Sequence, residues 1–340
     1  MAASGKPSIR IVSPGTARDN NGNWHTADRW AGFLRDRYDV AVQQRWTPAE
    51  PLPDLLIALH ARRSAPSLAA FLAQRGRQPA LLVLTGTDVY DDIHRDADAR
   101  RALASADALA LLQPAALGEL PDEARARAHV IYQSAPALPP APRQRGPGTK
   151  TVTMVGHLRA VKDPATFMRA AALATAPDVL FRQLGGVIDA ELGKLAEATQ
   201  ERVDRYSWAG PVPHDVARHA VACSHALAIC SAMEGGANVI VEAITSGVPV
   251  LASDISGNRG MLGDDYAGYF PVGDAAALAR LVDRSVADDG FIATLRAQCA
   301  ARAPLFAPQA ERAALLHLVD NLLNPIHGGR TAPAFTYKTP

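Results

Sequence analysis

Two glutamates, Glu234 and Glu242, stand eight positions apart in the stretch MEGGANVIVEAITSGVP, with a glycine pair directly after the first. A buried strand is predicted before them, and Asn238–Ser246 has the apolar spacing of a helix, which a glycine and a proline then end. Glycines let the backbone approach a ligand closely, and the N–H groups of a helix N-terminus favour an anion. A carboxylate one turn into this helix can accept two hydrogen bonds from a ribose. The pattern predicts a nucleoside diphosphate site formed by Gly235, Gly236, Ala237, Asn238, Val239 and Glu242, with Glu234 close to the reacting group.

Taken alone, these glutamates have an ordinary interpretation. Glu234 could cap the helix, and Glu242 could be a solvated surface residue. The glycine pair, the strand–loop–helix setting and the G-x-P stretch that follows favour the binding site instead.

A second candidate segment, VGHLRAVKDP, follows a predicted strand at Thr151–Val155. Its cations could neutralise a diphosphate and stabilise it as a leaving group, which is where much of the catalysis in such a site arises. The candidates are Gly156, His157, Arg159 and Lys162. A further turn, which contains Gly210 and Val212, follows a short predicted strand and is either a plain turn or, by resemblance to glycosyltransferases with the GT-B fold, a nucleobase contact.

Three polar segments in the first half of the chain each follow a predicted strand, where an open parallel sheet places its ligand contacts. They supply amide, hydroxyl and backbone donors, a carboxylate, and a local basic cluster of His60, Arg62 and Arg63 with no acid nearby. The alternative is a set of capping loops with solvated arginines. The candidates for binding a second substrate are Asn21, Gly22, Asn23, Thr26, His60, Arg63, Thr85, Gly86 and Asp88.

The elements that must position these residues alternate between short apolar runs and amphipathic helical patterns. This rhythm predicts an α/β fold with two doubly wound, Rossmann-like domains whose parallel sheets face each other across a cleft. In the first domain, strands are predicted at Ile9–Ser13, Leu55–His60, Ala80–Thr85, Ala106–Leu112 and Ala128–Tyr132, with a first helix at Thr26–Tyr38. In the second, strands are predicted at Thr151–Val155, Val179–Leu184, Tyr206–Ala209, Ala226–Cys230 and Val248–Ala252.

The expected domain limits follow from the breaks in this rhythm. A first domain spans 1–134, a linker rich in proline and glycine spans 135–150, and a second domain spans 151–305. A helix at 306–324 is expected to cross back to the first domain, and 325–340 forms a tail without a pattern.

The composition excludes several classes of protein. Among 340 residues, 35 basic and 34 acidic side chains nearly cancel, which argues against a nucleic-acid binder. The three cysteines form no metal-ligand pattern, so free thiols and a metal-independent site are expected. No signal peptide or spanning segment is recognised, which predicts a cytoplasmic protein without stable membrane association.

The Glu234–Glu242 stretch resembles the E-x7-E motif of retaining glycosyltransferases with the GT-B fold. By this resemblance, Glu234 lies beside the donor hexose and Glu242 binds ribose. In the same family an arginine and a lysine neutralise the diphosphate. Here Lys162 matches, whereas His157 stands at the arginine position, so either Arg159 replaces the missing charge or His157 has another role.

The ordered set GN-x-x-TA-x-RW, ALHARRS, LTGTD-x-Y, GHLR-x-x-KDP, MEGGANV and ASDISGNRGMLGDDYAGYFPVGD extends from about Ile9 to about Asp274. Together these motifs resemble one branch of that fold, the selenosugar synthases of selenoneine biosynthesis. The resemblance implies a hexosyltransferase that joins selenophosphate to the anomeric carbon of a UDP-sugar, UDP-N-acetylglucosamine (UDP-GlcNAc), through a carbon–selenium bond. It also implies a functional link in selenium metabolism to a selenophosphate synthase and a selenoneine synthase.

Two alternatives remain at this point. A conventional GT-B enzyme would act on a saccharide or lipid hydroxyl, and the arginine-rich stretch Arg62–Arg77 could then dock on a membrane, although its apolar face is more simply a core face. A non-catalytic binding protein on the same fold is opposed by the intact Glu234, Glu242 and Lys162. A nicotinamide-dependent enzyme is disfavoured, because the first predicted strand is not followed by G-x-G-x-x-G.

Overall fold

The computed structural model describes residues 5–18, 21–138 and 148–325. The chain divides into two compact units, one made of the described residues up to Ile131 and from Glu311 onward, the other of those from Tyr132 to Ala310. Most of the predicted linker and nearly all of the predicted tail lie outside the described residues.

The first unit contains a parallel sheet of six strands among its described residues, in the order β2-β1-β3-β4-β5-β6. The central strands are apolar along their whole length and fully buried, as expected when helices cover both faces of a parallel sheet. In chain order the strands are β1 (Ser8–Val12), β2 (Asp39–Gln43), β3 (Leu55–Leu59), β4 (Ala80–Leu84), β5 (Ala108–Leu111) and β6 (Ala128–Val130).

Alternate residues of these strands enter two different cores, since successive side chains of a strand point to opposite faces. Leu56 and Leu82 belong to one core, whereas Ile57 and Leu81 belong to the other. The helices of this unit are α1 (Gly22–Leu34), α2 (Ala65–Gln74), α3 (Ile93–Arg95), α4 (Ala97–Ser105) and α5 (Asp122–Arg125).

The apolar stripe of α2 is buried in one of these cores. Leu68 and Phe71 are 1% and 0% exposed, and Phe71 meets Trp46 edge to face with 5.7 Å between ring centroids. This is the core face predicted for the arginine-rich stretch, so these side chains offer no apolar surface to a membrane. No helix of the described ranges is both long and apolar enough to span a bilayer.

The second unit contains another parallel sheet of six strands within the described part of the chain, in the order β12-β11-β10-β7-β8-β9. Its strands are β7 (Lys150–Val155), β8 (Val179–Leu184), β9 (Tyr206–Trp208), β10 (Ala226–Ile229), β11 (Val250–Ser253) and β12 (Tyr269–Phe270). Its helices are α6 (Pro164–Leu173), α7 (Ala190–Arg202), α8 (His214–Ala222), α9 (Asn238–Thr245), α10 (Ser256–Leu262), α11 (Ala275–Ala287) and α12 (Asp289–Arg302). The predicted pair of parallel α/β sheets is therefore confirmed.

The final helix, α13 (Pro308–Leu323), packs on the core of the first sheet that also contains α1. Its Leu315 and Val319 are fully buried there. Glu311, whose side chain is 0% exposed, accepts hydrogen bonds from Arg29 Nε at 2.7 Å and from Trp30 Nε1 at 2.8 Å. An apolar stripe and one buried ion pair thus attach the end of the described chain to the first unit.

The prediction for the first helix was wrong at both ends. The helix begins four residues earlier, because the side chain of Asn21 caps it by accepting from Trp24 N at 3.1 Å. It ends at Leu34 rather than Tyr38, whose hydroxyl instead donates to Asp320 of α13.

Candidate functional site

The loop after β10 carries the glycine pair and leads into α9. No side chain caps this helix, whose N-cap position is Ala237. The first N–H groups of a helix have no intrahelical partner, so an uncapped start leaves donors directed at the space before it. Ile240, Val241 and Ile244 are buried and fix the helix in the core. The arrangement is suited to an anion.

Glu234 forms an ion pair with Lys162 and does not cap α9, so the capping interpretation is wrong. Its Oε1 accepts from Lys162 Nζ and from Ser231 Oγ, the latter at 2.6 Å. The side chains of Glu234 and Lys162 are only 10% and 19% exposed. A largely buried charge pair at a loop is costly to desolvate, which favours a role in binding over one in stability.

The position of Lys162 is set by the chain around it. It closes a 3₁₀ turn, Ala160–Lys162, and the next residue, Asp163, is left-handed with φ 44° and caps α6 by accepting from Thr166 N at 3.2 Å. Ala232 N donates to Val161 O at 2.9 Å, which joins this turn to the loop that carries Glu234. The two charged side chains are therefore held together by backbone contacts as well as by their own.

Glu242 is buried, with 7% exposure, so it is not a solvated surface residue. It lies within the apolar face of α9, where an ionised carboxylate needs hydrogen bonds. His214 Nε2, at the first position of α8, lies 2.7 Å from its Oε1. An ionised carboxylate can only accept hydrogen bonds, so we assign His214 Nε2 as the donor in this contact.

The loops that follow β7, β8 and β9 are joined to each other. Gly156 N donates to Leu184 O and Gly185 N donates to Gly210 O, both at 2.8 Å. A β-carbon on Gly185 would overlap the carbonyl of Gly156, so only glycine fits there. Gly210 has φ 69°, a left-handed conformation that favours glycine. Val212 is partly exposed beyond it.

The ring of His157 also belongs to this network. Its Nδ1 accepts from Gly186 N at 3.1 Å, which joins the ring to the loop after β8. Arg159, by contrast, is exposed. His157 therefore contacts the loop after β8, and Arg159 presents an exposed positive charge.

In the first unit, Gly22 and Asn23 form the first turn of α1 after the Asn21 cap. Thr26 was expected at the start of this helix, but it lies in the second turn, where its Oγ1 donates to Gly22 O at 2.9 Å. It is 1% exposed. Among these four candidates, Asn21 and Thr26 therefore already use their side chains in hydrogen bonds within α1.

The carboxylate of Asp88 is fully used within the protein. It accepts from Ala61 N at 3.0 Å, from Thr85 N at 2.9 Å and from Gly86 N at 2.7 Å, and the residue is 0% exposed. It thereby ties the loop after β4 to the loop after β3. A direct substrate contact by this carboxylate would have to break those bonds.

The cluster of His60, Arg62 and Arg63 was expected to have no acid nearby, and this is wrong. Asp92, at the end of a π-helical turn, lies 3.0 Å from Arg62 Nε and 3.8 Å from His60 Nε2. Burial lowers the pKa of His60, whose Nδ1 accepts from Arg63 N at 3.4 Å. Burial thus disfavours the charged form of the ring, Arg62 is exposed but paired with Asp92, and Arg63 is exposed with no ion pair within the described residues.

Sequence reasoning missed Ser231, His214 and Asp92. Ser231 lies three residues before Glu234, a spacing that could have indicated a hydrogen bond across the loop. His214 and Glu242 are 28 residues apart in the chain, and no local pattern indicates their contact. Within the described ranges, no group of three or more His, Cys, Asp or Glu side chains is arranged to hold a metal ion.

Comparisons with known proteins give one family match and several structures of similar fold. Residues 141–305 match the family described as glycosyl transferases group 1. Sucrose-phosphate synthase from Thermosynechococcus elongatus superposes with a TM-score of 0.76 at 18% identity, covering 94% of this chain and 100% of that one. HepE from Anabaena, in complex with UDP and glucose, gives 0.73 at 18% identity, with 93% and 100% covered.

A third similar structure matches this chain over only part of its own length. The pneumococcal O-GlcNAc transferase GtfA, in complex with UDP and GlcNAc, gives a TM-score of 0.59 at 17% identity over 79% of this chain and 57% of that chain. No curated protein sequence matches this chain. At these identities the structures show the GT-B fold alone. Residues 141–305, just under half of the chain, are similar to group 1 glycosyltransferases.

Proposed function

We propose that this protein transfers a hexose from a UDP-sugar, UDP-GlcNAc, to selenophosphate and forms a carbon–selenium bond. The observation that carries the donor half is the ion pair of Lys162 and Glu234 beside the uncapped start of α9, with Glu242 on the same helix. The acceptor half rests on the motifs that resemble selenosugar synthases.

The donor diphosphate is assigned to the N–H groups at the start of α9 and to the cations of the neighbouring loop. Lys162 Nζ can remain near Glu234 while it contacts a phosphate oxygen, because an ammonium group has three donors. Arg159 adds a second positive charge. These groups stabilise the charge that develops on the leaving UDP, so the proposed reaction needs no divalent cation.

The nucleoside is assigned to the loops after β8 and β9 and to Glu242. The carboxylate of Glu242 is buried and directed by a hydrogen bond, as recognition of a ribose diol requires. Two of the similar structures, HepE and GtfA, are complexes with UDP. This is the support for UDP over other nucleotides.

Selenophosphate suits a site that offers cations and lacks a strong general base, since its selenium is already largely deprotonated. Arg63 is exposed, and no ion pair to it occurs within the described residues. We assign this guanidinium group to the phosphate end of the acceptor, with the donors of Gly22 and Asn23.

In the proposed reaction the selenium electron pair attacks the anomeric carbon, and the bond from that carbon to the diphosphate oxygen breaks. UDP departs with the bonding electrons. The first product carries a selenium–phosphorus bond, and water then cleaves it to give inorganic phosphate and the selenosugar.

The test is incubation of the purified protein with UDP-GlcNAc and freshly made selenophosphate, with mass spectrometry of the products. A selenium-containing hexose with the selenium isotope pattern is expected, formed equally well in the presence of EDTA. Arg63→Ala should raise the KM for selenophosphate and leave that for UDP-GlcNAc unchanged. UDP release without a selenosugar, together with efficient glycosylation of a hydroxyl compound, would show that the acceptor is wrong.

One observation favours a second candidate, a conventional transferase acting on a saccharide hydroxyl. The pairing of Arg62 with Asp92 leaves the cluster of His60, Arg62 and Arg63 less cationic than expected, which suits a neutral acceptor. A panel of monosaccharide and sugar-phosphate acceptors in the same assay separates the two. If calorimetry detects no binding of UDP and no transfer occurs, the protein is a non-catalytic member of the fold.

A further inference from the structure

We propose that His214 is a positioning residue that orients the Glu242 carboxylate for the two hydroxyls of the nucleotide ribose. This inference rests on the proposed function, because it deepens the nucleoside part of the same site. It gives a role to a side chain that neither the motif nor the family resemblance singles out.

The contact joins two helices that pack against each other. His214 begins α8, directly after Pro213 at the cap position, and its ring reaches Glu242 in the second turn of α9. The distance from Nε2 to Oε1 is 2.7 Å. The imidazole is 43% exposed whereas the carboxylate is 9% exposed, so the ring contacts the buried group from the solvent side.

The hydrogen-bond capacity of the carboxylate leaves room for a ligand. An ionised carboxylate has about four acceptor positions, and His214 uses one of them on Oε1. Within the part of the chain that the structure describes, Oε2 accepts no hydrogen bond, and it is not sealed from solvent. The remaining positions can take both hydroxyls of a ribose while the histidine contact persists.

Positioning matters because a glutamate side chain has rotatable bonds that lose entropy when a ligand fixes them. A carboxylate already held by His214 loses less on binding, so more of the hydrogen-bond energy appears as affinity. It also has a defined direction, which is what discrimination between a ribose and a deoxyribose requires, since a missing hydroxyl leaves a fixed acceptor unpaired.

The experiment measures binding of UDP and of 2′-deoxy-UDP to the whole 340-residue chain by calorimetry. The variants are His214→Ala, His214→Gln and, as a matched control on the same helix, the exposed His219→Ala. His214→Ala should weaken UDP binding by about tenfold, the order of one hydrogen bond to a charged group, and should bring the UDP to 2′-deoxy-UDP ratio close to one. His214→Gln, whose amide can donate to the same oxygen, should restore most of both.

Kinetics add a second measurement. His214→Ala should raise the KM for the sugar nucleotide with a smaller change in kcat, since the chemistry occurs away from the ribose. The inference is overturned if His214→Ala binds UDP as the wild type does, or weakens both nucleotides equally. If wild-type protein binds no UDP, the proposed function fails and the inference fails with it. If wild-type protein binds both nucleotides equally, Glu242 does not recognise the ribose.

Discussion

Gly257, in the first turn of α10, lies directly against the main chain of Glu234. A β-carbon at this position would overlap the carbonyl oxygen of Glu234, so no other residue fits without displacing the loop. The same helix supplies Asn258, whose Nδ2 donates to Ser253 O at 2.8 Å, while Ser253 Oγ donates to Ser231 O at 2.6 Å. The contacts of α10 therefore hold the loop that carries Glu234 in place.

We therefore expect Gly257→Ala to damage both stability and activity. The overlap has to be relieved by backbone movement, which costs about 1–3 kcal/mol. Because a displacement of about 1 Å can cost ~100-fold in rate, turnover should fall far more than the folded fraction does. Chemical denaturation and initial rates on the same sample separate the two effects.

The control is Gly32→Ala in α1, a helical glycine whose added β-carbon would meet nothing within 4 Å. It should leave activity unchanged and increase stability by roughly 0.5–1 kcal/mol, since alanine favours a helix over glycine. An active Gly257→Ala protein with normal stability would show that the loop around Glu234 tolerates displacement.

Lys162→Ala should reduce kcat by about 10²–10³, the usual effect of removing one group that stabilises a developing negative charge. Ser231→Ala removes only one of the two bonds to Glu234 Oε1, so a smaller loss is expected. Single-turnover rates at saturating sugar nucleotide are the measurement. Lys194→Ala, which removes an exposed lysine paired with Glu191, is the control and should have the wild-type rate. Equal rates for the Lys162 and Lys194 variants would show that Lys162 does not stabilise the leaving diphosphate.

Much of the second unit follows from local patterns in the sequence. The glycine pair and the apolar spacing after Asn238 predict α9, and the structure has it at Asn238–Thr245. The edge strand β2 was missed because none of its residues is fully buried and its sequence, DVAVQ, has only two strongly apolar side chains. The contact between Asp92 and Arg62 was missed too, because these residues are 30 positions apart and Asp92 lies in a π-helical turn that no local pattern predicts.

Because the carboxylate of Glu311 is buried, we expect replacement of Glu311 to cost much more stability than replacement of its neighbour Arg312. Glu311→Ala leaves Arg29 and the Trp30 indole without their partner, and breaking a buried pair costs about 3–5 kcal/mol. The next residue, Arg312, pairs with Asp36 at 3.0 Å on the surface. Arg312→Ala should change stability by less than about 1 kcal/mol. Urea denaturation followed by tryptophan fluorescence measures both, and similar small losses would mean that α13 is held by its apolar stripe alone.

The stability of the second unit should fall as the pH is lowered from about 6.5 to about 4, in part because of His225. Burial lowers the pKa of His225 to about 4, and its Nε2 lies 3.0 Å from Ser285 O. Between this pKa and the unfolded value near 6.5, the unfolded chain binds a proton that the folded chain does not, so acid favours unfolding. The full effect is about 3 kcal/mol, reached near pH 4. His225→Gln cannot take up this proton, so urea denaturation at pH 7, 6, 5 and 4.5 should show a shallower loss of stability. The difference in pH dependence should develop only below about pH 6.5, and parallel curves for the two proteins would rule out His225 as a source of the acid sensitivity.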